Sequence, residues 1–272
     1  MAGSDLVMPA SNAVLTRLVV GAALIALALF AVWQGSLMFT ALVAAATLLM
    51  FAEWCVMHGI ARGFRLAGLA LLAGICWLAT NGPATQAVIA VAAGAGLLGL
   101  FARGVARPRA FWLASGILYC GLPAVALLWL RGLPKGLELT IAVLLLVWAT
   151  DICAYFIGRA VGGPKFAPAV SPNKTWAGVA GGVTGAVVVS AIWVKLQPGY
   201  STAMPVLLTV AAGMAVIAVL GDLFESWLKR RAGVKDSGTL LPGHGGVLDR
   251  LDGLVPVAVV FAGLVLLNGG GR

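Results

Sequence analysis

Long apolar runs are the feature of this sequence that most limits its fold. They extend approximately over residues 14–33, 37–57, 66–80, 85–101, 110–130, 137–158, 176–194, 203–224 and 253–268. A bilayer core requires about 20 apolar residues per helix, or somewhat fewer for a helix packed inside a bundle. Only 10% of the residues are charged, whereas roughly a quarter are charged in a soluble domain. We therefore predict an all-α, polytopic integral membrane protein with about nine transmembrane helices.

The basic residues give these predicted helices an orientation. The chain has 18 Lys and Arg against 9 Asp and Glu, which gives a net charge of +9. Most of the basic residues follow the second, fourth, sixth and eighth predicted helices, and such an excess is typical of cytoplasmic loops. We expect the amino terminus and these loops on the cytoplasmic side of a bacterial inner membrane. The positive charge is thus interpreted as a topology signal rather than as a nucleic-acid-binding surface.

Carboxylates are scarce, and five of the nine fall within a short segment near the carboxyl terminus. They are Asp222, Glu225, Asp236, Asp249 and Asp252. Asp222 follows an apolar run and lies at the membrane edge, where a lone charge costs about 2.5 kcal/mol or more, so it requires a partner. If its helix continues to residue 231, Asp222, Glu225, Ser226 and Lys229 share one helical face.

The spacing of these carboxylates suits a hard cation. Asp249 and Asp252 are three residues apart at the start of the last predicted helix, which places both on one side of it. Together with Asp222 they could form an oxygen cage for Mg²⁺, which typically keeps several waters and takes one or two carboxylates plus substrate phosphate. The alternative is that the acidic groups only form salt bridges to the neighbouring basic residues Lys229, Arg230 and Arg250.

Two polar segments could hold phosphate. Residues 235–246 are rich in glycine, which lets backbone N–H groups approach a ligand; the alternative is a plain surface turn with His244 as a hydrogen-bonded loop residue. The second segment follows Asp151 and contains Lys174 and Thr175 at a predicted helix start, although Ser171 or Asn173 could simply cap that helix. Both segments are predicted on the same side, which indicates phosphoryl or nucleotidyl chemistry on a lipid.

The residues of these segments resemble a known family. The series Ser226-x-x-Lys229-Arg230, Lys235-Asp236, Pro242-Gly243-His244-Gly245-Gly246, Asp249-Arg250-x-Asp252 is closely similar to the carboxyl-terminal signature of phosphatidate cytidylyltransferases, also called CDP-diacylglycerol synthases. The series from Asp151 to Gly178, with Ser171-Pro172-x-Lys174-Thr175-Trp176, resembles a second motif of that family. One position departs from it: Ala177 stands where members usually carry an acidic residue.

The resemblance implies a reaction and a set of site residues. The reaction is Mg²⁺-dependent attack of the phosphate of phosphatidate on the α-phosphorus of CTP, which gives CDP-diacylglycerol and pyrophosphate. Asp222 and Asp249 would be metal ligands, with a second cation left open, and the resemblance implies a homodimer. The expected catalytic residues are Asp222, Asp249, Asp252, Lys229 and Arg250. The expected substrate-binding residues are Ser171, Lys174, Thr175, Ser226, Arg230, Lys235, Asp236, His244, Gly245 and Gly246.

Other readings of the sequence remain open at this stage. The nearest is another CTP-dependent membrane enzyme, such as a polyprenol or phytol kinase or an ether-lipid cytidylyltransferase, and a more distant one is a transporter.

We expect residues 136–272 to form the catalytic region and residues 1–135 to provide a scaffold, a lipid groove or a subunit interface. Within residues 1–135, Glu53 and His58 are either functional residues or a pair at the membrane edge. The four cysteines are predicted to be buried thiols.

Overall fold

The computed structural model describes residues 10–105, 107–197, 204–240 and 245–269. This part of the chain forms a bundle of ten helices and one two-stranded hairpin. The helices are α1 (Ala10–Gln34), α2 (Ser36–Met57), α3 (Arg62–Asn81), α4 (Ala84–Val105), α5 (Arg107–Gly132), α6 (Gly136–Val161), α7 (Trp176–Leu196), α8 (Met204–Arg231), α9 (Leu248–Leu251) and α10 (Leu254–Leu267). The strands are β1 (Lys165–Ala167) and β2 (Ser171–Thr175).

Every predicted apolar span falls on one of these helices. Seven helices, α2 to α8, are long and apolar enough to cross a membrane. Val19–Gln34 within α1 and Leu254–Leu267 of α10 are shorter apolar helices. The structure thus confirms the all-α, polytopic membrane class, while the count of nine spans and the side of the amino terminus stay predictions.

The segment between α6 and α7 differs from the expected loop. Gly162 and Gly163 end α6 with φ angles of 67° and 92°, a backbone region that favours glycine, and they turn the chain into the hairpin. In the hairpin, Lys165 pairs with Thr175 in antiparallel register. The strands span only three and five residues, which is too short for a recognisable alternating pattern in the sequence.

Helix α5 lies at the centre of the largest apolar core. Its buried residues Leu113 and Ile117 pack with Phe51 and Trp54 of α2 and with Leu72 of α3. The same core includes four buried residues from the carboxyl-terminal part of the chain: Leu144, Leu228, Leu248 and Val255. Burial of this apolar surface therefore joins the two parts of the chain beneath the polar segments.

Helices α6 and α7 approach each other through glycine. A Cβ atom placed on Gly178 would lie 2.9 Å from the carbonyl oxygen of Ala154, and one on Gly182 would lie 2.8 Å from that of Thr150. Small residues four apart allow such close backbone packing between membrane helices. This contact fixes the start of α7, where β2 ends. The four cysteines are free thiols, as predicted; three of them are buried, whereas Cys153 is only half-buried.

Candidate active site

Helix α8 carries one face of the candidate site. It continues to Arg231, beyond the predicted end of the apolar span at residue 224, and this confirms the predicted shared face. On that face, the hydroxyl group of Ser226 lies 3.5 Å from Oδ1 of Asp222. One turn further, Nζ of Lys229 lies 2.6 Å from Oε2 of Glu225.

The ammonium group of Lys229 is the positive charge that joins the acidic residues around this face. Its ammonium group contacts Oε2 of Glu225 and Oδ1 of Asp249, each at 2.6 Å. The side chain of Glu225 is fully buried and that of Lys229 is 12% exposed. A buried carboxylate requires a counter-charge, so Lys229 stabilises Glu225 and joins α8 to α9. The predicted salt bridges of the acidic residues are thus present, at Lys229.

Asp249 organises the loop before α9. Its Oδ2 accepts hydrogen bonds from the backbone N–H of Ser237 at 3.0 Å, the hydroxyl of Ser237 at 2.9 Å and the N–H of Gly246 at 2.8 Å. Burial opposes the charge of Asp249, but the hydrogen bonds from Lys229 and Gly246 outweigh it and lower the pKa of this carboxyl. Gly245 has a φ of 79°, and a Cβ there would lie 2.7 Å from Oδ2 of Asp249.

Glu53 of α2 contacts this loop. The sequence left a functional role for Glu53 open but did not predict these partners. Its two carboxylate oxygens accept hydrogen bonds from the N–H groups of Val247 and Leu248, both at 2.9 Å, and from the hydroxyl of Ser237 at 3.1 Å. A signal was present in the sequence, because Glu53 is one of nine carboxylates and interrupts an apolar run. Its partners, however, lie nearly 200 residues away along the chain.

Of the two alternatives left open for Glu53 and His58, a pair at the membrane edge is not the one that the structure favours, because the two side chains contact different groups. The ring of His58 stacks on Trp112, with the ring centroids 4.1 Å apart, and lies 4.6 Å from that of Trp54. Burial lowers the pKa of His58, so its ring is not a counter-charge for a carboxylate near pH 7. The two side chains have separate surroundings, although they are little more than one helical turn apart.

The hairpin brings a second lysine to the site. Nζ of Lys174 lies 2.5 Å from Oδ2 of Asp222, and the two side chains are 22% and 32% exposed. Thr175 caps α7, because its hydroxyl accepts the N–H of Gly178 at 3.1 Å. The alternative in which Ser171 or Asn173 caps this helix is therefore wrong, since the helix begins only at Trp176. Ser171 lies at the other end of β2, where it pairs with Ala167.

Asp252 lies among other carboxylates. Burial raises its pKa well above the usual range, and the like charges of Asp222, Glu225 and Asp151 raise it further. Its Oδ1 accepts the N–H of Gly253 at 2.8 Å. Asp249 and Asp252 therefore have different neighbours: Asp249 contacts Lys229, whereas Asp252 interacts electrostatically with Asp222 and Asp151.

Several predicted site residues lie at the edge of this arrangement. The guanidinium group of Arg230 donates to the carbonyl oxygen of Val234 at 3.3 Å, while Lys235 and Asp236 are exposed. Arg250 interacts electrostatically with Asp151. His244, with residues 241–243, lies outside the described residues. Within the described ranges, no group of three or more His, Cys, Asp or Glu side chains is arranged to hold a metal ion.

Aromatic side chains border the polar site. Tyr119 of α5 lies between Trp54 and Phe224, with ring centroid distances of 5.2 and 5.8 Å. Phe224 stacks on Trp227 of α8, and these two side chains are 45% and 40% exposed. Charged groups therefore stand next to apolar rings at the end of the helices, an arrangement that suits an amphipathic ligand.

Comparison with known proteins assigns the chain to a family. The sequence model of the cytidylyltransferase family matches residues 15–267, a range that includes every residue of the candidate site. The chain belongs to this family, and it is an integral membrane nucleotidyltransferase. It is 40% identical over 258 residues to a phosphatidate cytidylyltransferase of Brucella melitensis biotype 1, with 90% of each chain covered.

Two further relatives carry the same name. The phosphatidate cytidylyltransferase of Brucella suis biovar 1 is 40% identical over 256 residues, again with 90% of each chain covered. That of Pseudomonas aeruginosa is 44% identical over 160 residues, which are 58% of this chain and 59% of the relative. The family predicted from the sequence motifs is thereby confirmed.

Proposed function

We propose that the chain transfers a cytidylyl group from CTP to phosphatidate, which gives CDP-diacylglycerol and pyrophosphate. The observation that carries this proposal is the 40% identity to a phosphatidate cytidylyltransferase over 90% of both chains. The geometry supports it: two lysines and several carboxylates lie beside exposed aromatic rings, so polar and apolar parts of one ligand can both be bound.

Catalysis of this reaction requires mainly that the negative charge of the two substrates is neutralised and that their reacting groups are aligned. A phosphate monoester is largely ionised near neutral pH, so its oxygen can attack without a dedicated base. The new bond joins this oxygen to the α-phosphorus of CTP, the bond between that phosphorus and the bridging oxygen breaks, and pyrophosphate leaves with the electron pair. Because both substrates are polyanions, cationic groups must bring them together and stabilise the transferring group. Lys174 and Lys229 are suited to this role.

The carboxylates fit a requirement for Mg²⁺ by their chemistry. Asp222 and Asp249 offer only oxygen donors, and Mg²⁺ typically takes one or two carboxylates together with water and substrate phosphate. When bound, the ion would neutralise phosphate charge and polarise the α-phosphoryl group. Lys174 and Lys229, which hold these same carboxylates, would then have ammonium donors free for phosphate oxygens.

The position of the site at the membrane is also part of the proposal. Basic residues in the loops after α2, α4, α6 and α8 support a site on the cytoplasmic face of the bacterial inner membrane. Phe224 and Trp227 would contact the acyl chains, while the phosphate of the lipid lies near Lys174 and Lys229. The resemblance of the motifs to the family implies a homodimer as the working unit.

The experiment is turnover of the purified, detergent-solubilised protein with phosphatidate and CTP labelled with ³²P at the α-phosphate. We expect label in the lipid phase and release of pyrophosphate, both dependent on phosphatidate and on Mg²⁺. Asp249→Asn should lower this turnover by about 10²–10³-fold, a size typical for loss of one electrostatic contact in an active site. Glu138→Gln, in the first turn of α6 and remote from the site, is the matched control.

The products separate this function from its alternatives. Consumption of CTP with release of CDP would instead indicate a CTP-dependent lipid kinase. Labelled lipid formed only from ether-lipid or prenol acceptors would indicate a different acceptor. A folded sample that leaves CTP intact with each of these acceptors would contradict the proposed reaction.

A further inference from the structure

Glu53 anchors the loop of residues 232–249 from a distant part of the chain. Its Oε1 accepts the N–H of Val247, and its Oε2 accepts the N–H of Leu248, each at 2.9 Å. These N–H groups stand at the start of α9, where a helix has no intrahelical acceptor for them. A single side chain of α2 therefore satisfies two backbone donors next to Asp249.

Glycines let the loop pack directly against this carboxylate. A Cβ atom on Gly238 would lie 2.8 Å from Oε1 of Glu53, and one on Gly246 would lie 2.5 Å from Oε2. Both distances are too short for a real Cβ atom, so only glycine permits this approach. The loop thus contacts Glu53 on both sides of residues 241–244, and the carboxylate determines the path of its described ends.

The anchor is linked to Asp249 by one hydroxyl group. Oγ of Ser237 lies 3.1 Å from Oε2 of Glu53 and 2.9 Å from Oδ2 of Asp249. A hydroxyl has one proton to donate, so Ser237 bridges the two carboxylates by donating to one of them at a time. The N–H of Gly246 then donates to Asp249 as well. Movement of Glu53 would therefore shift Ser237 and Gly246, which both donate to Asp249.

We propose that Glu53 is a positioning residue, which holds residues 237–240 and 245–249 so that Asp249 stays aligned with Lys229. The part of this inference that concerns turnover rests on the proposed function, whereas the part that concerns the loop does not. It gives a chemical role to the amino-terminal part of the chain: α2 supplies the support for the carboxylate that α9 presents.

The test is a substitution of nearly equal size, Glu53→Gln. An amide has an acceptor at one end and donors at the other, so one of the N–H groups of Val247 and Leu248 must face an NH₂ group. We expect hydrogen exchange in a peptide that covers residues 245–251 to quicken by about tenfold, as loss of a buried hydrogen bond implies. Exchange is measured on the folded, detergent-solubilised protein by mass spectrometry, with Glu138→Gln as the matched control.

Turnover of the same variants tests the positioning role. We expect Glu53→Gln to lower kcat by about tenfold or more while KM for CTP changes by less than about threefold, because misplacement affects the transition state more than ground-state binding. Glu53→Asp keeps the carboxylate that accepts these hydrogen bonds, on a side chain that is one methylene group shorter. It should recover part of both the exchange protection and kcat, and it serves as the informative variant if Glu53→Gln does not fold.

Two results would overturn the inference. One is unchanged exchange at residues 245–251 in a folded Glu53 variant, or an equal change in Glu138→Gln. The other is faster exchange with an unaltered kcat, which would make Glu53 an anchor without a positioning role. Absence of cytidylyl transfer in the unsubstituted protein would refute the proposed function alone, since the exchange measurement does not depend on turnover.

Discussion

The hairpin of residues 165–175 and the loop of residues 232–249 meet at the same site but are held in place differently. Backbone pairing of Lys165 with Thr175 and the Thr175 cap of α7 fix the hairpin. The described parts of the loop are fixed mainly by carboxylates, those of Glu53 and Asp249, which accept its N–H and O–H groups. A backbone-fixed segment should tolerate loss of a side chain, whereas a side-chain-fixed segment should not.

The two lysines of the site make this difference measurable. Lys174 pairs with the partly exposed Asp222, whereas Lys229 contacts both Asp249 and the fully buried Glu225. A partly exposed pair contributes about 1 kcal/mol or less. Removing one partner of a buried pair costs about 3–5 kcal/mol, because the other charge is left without compensation.

The largest expected effect follows from replacing each lysine with methionine. Lys229→Met should lower the free energy of unfolding by about 3–5 kcal/mol, and Lys174→Met by about 1 kcal/mol or less. Both variants should lose most cytidylyl transfer. Thermal unfolding in detergent, followed by circular dichroism, gives the first quantity, and the labelled CTP assay gives the second. Equal losses of stability would show that hairpin and loop depend on their side chains alike.

A second substitution identifies the cause of the loss at Lys229. Glu225→Gln replaces the buried carboxyl group that Lys229 contacts with a neutral amide. In the Lys229→Met background it should therefore restore a large part of the lost stability, but not turnover. If the double variant is no more stable than Lys229→Met, the loss comes from packing or from Asp249 instead.

The next effect tests whether backbone packing supports the hairpin. Gly178→Ala places a Cβ against the carbonyl oxygen of Ala154 and must push α7 away from α6. We expect a loss of about 1–3 kcal/mol, as for other cases of overpacking, together with reduced turnover because Lys174 moves with β2. Gly213→Ala is the control, since a Cβ at Gly213 would meet no other part of the described chain within 4 Å, its own helix backbone aside. A similar stability for both variants would contradict this account.

The smallest expected effect is a difference in pH dependence between two carboxylates. Folding raises the pKa of Asp252, so its contribution to the free energy of unfolding becomes less favourable as pH increases above about 4. Asp252→Asn should therefore stabilise the Mg²⁺-free protein relative to the unsubstituted chain, and more so at pH 8 than at pH 5. Unfolding at these two pH values measures the difference.

Asp249 should behave in the opposite sense. Folding lowers its pKa, so it contributes stability that is present above its unfolded pKa of about 4 and is lost as pH decreases through the folded value. Asp249→Asn should thus destabilise the protein at both pH 5 and pH 8. Stabilisation by both Asn variants would mean that the loop does not favour the charge of Asp249.

The sequence predicts the parts of this structure that depend on local patterns. Apolar runs predict the helices, and the three- and four-residue spacing of polar side chains predicts that Asp222 and Lys229 share one face of α8. Local patterns do not encode contacts between distant segments, so the partners of Glu53 were missed. The hairpin was missed because its strands are so short. Thr175 was not recognised as the cap, and Ser171 or Asn173 stayed open as alternatives, because the exact start of α7 depends on packing of Gly178 against α6.

The glycine contact between α6 and α7 has a consequence for assembly during synthesis. The two helices and the hairpin are adjacent in the chain, so they can pair in the membrane before α8 is made. Lys174 is then in place before Asp222 emerges. The loop that rests on Glu53 follows later still, although α2 is among the first segments to be inserted. In the nascent chain, the groups that later contact α8 and the loop before α9 would therefore already be in the membrane, and the site would be complete only after α9 and α10 are made.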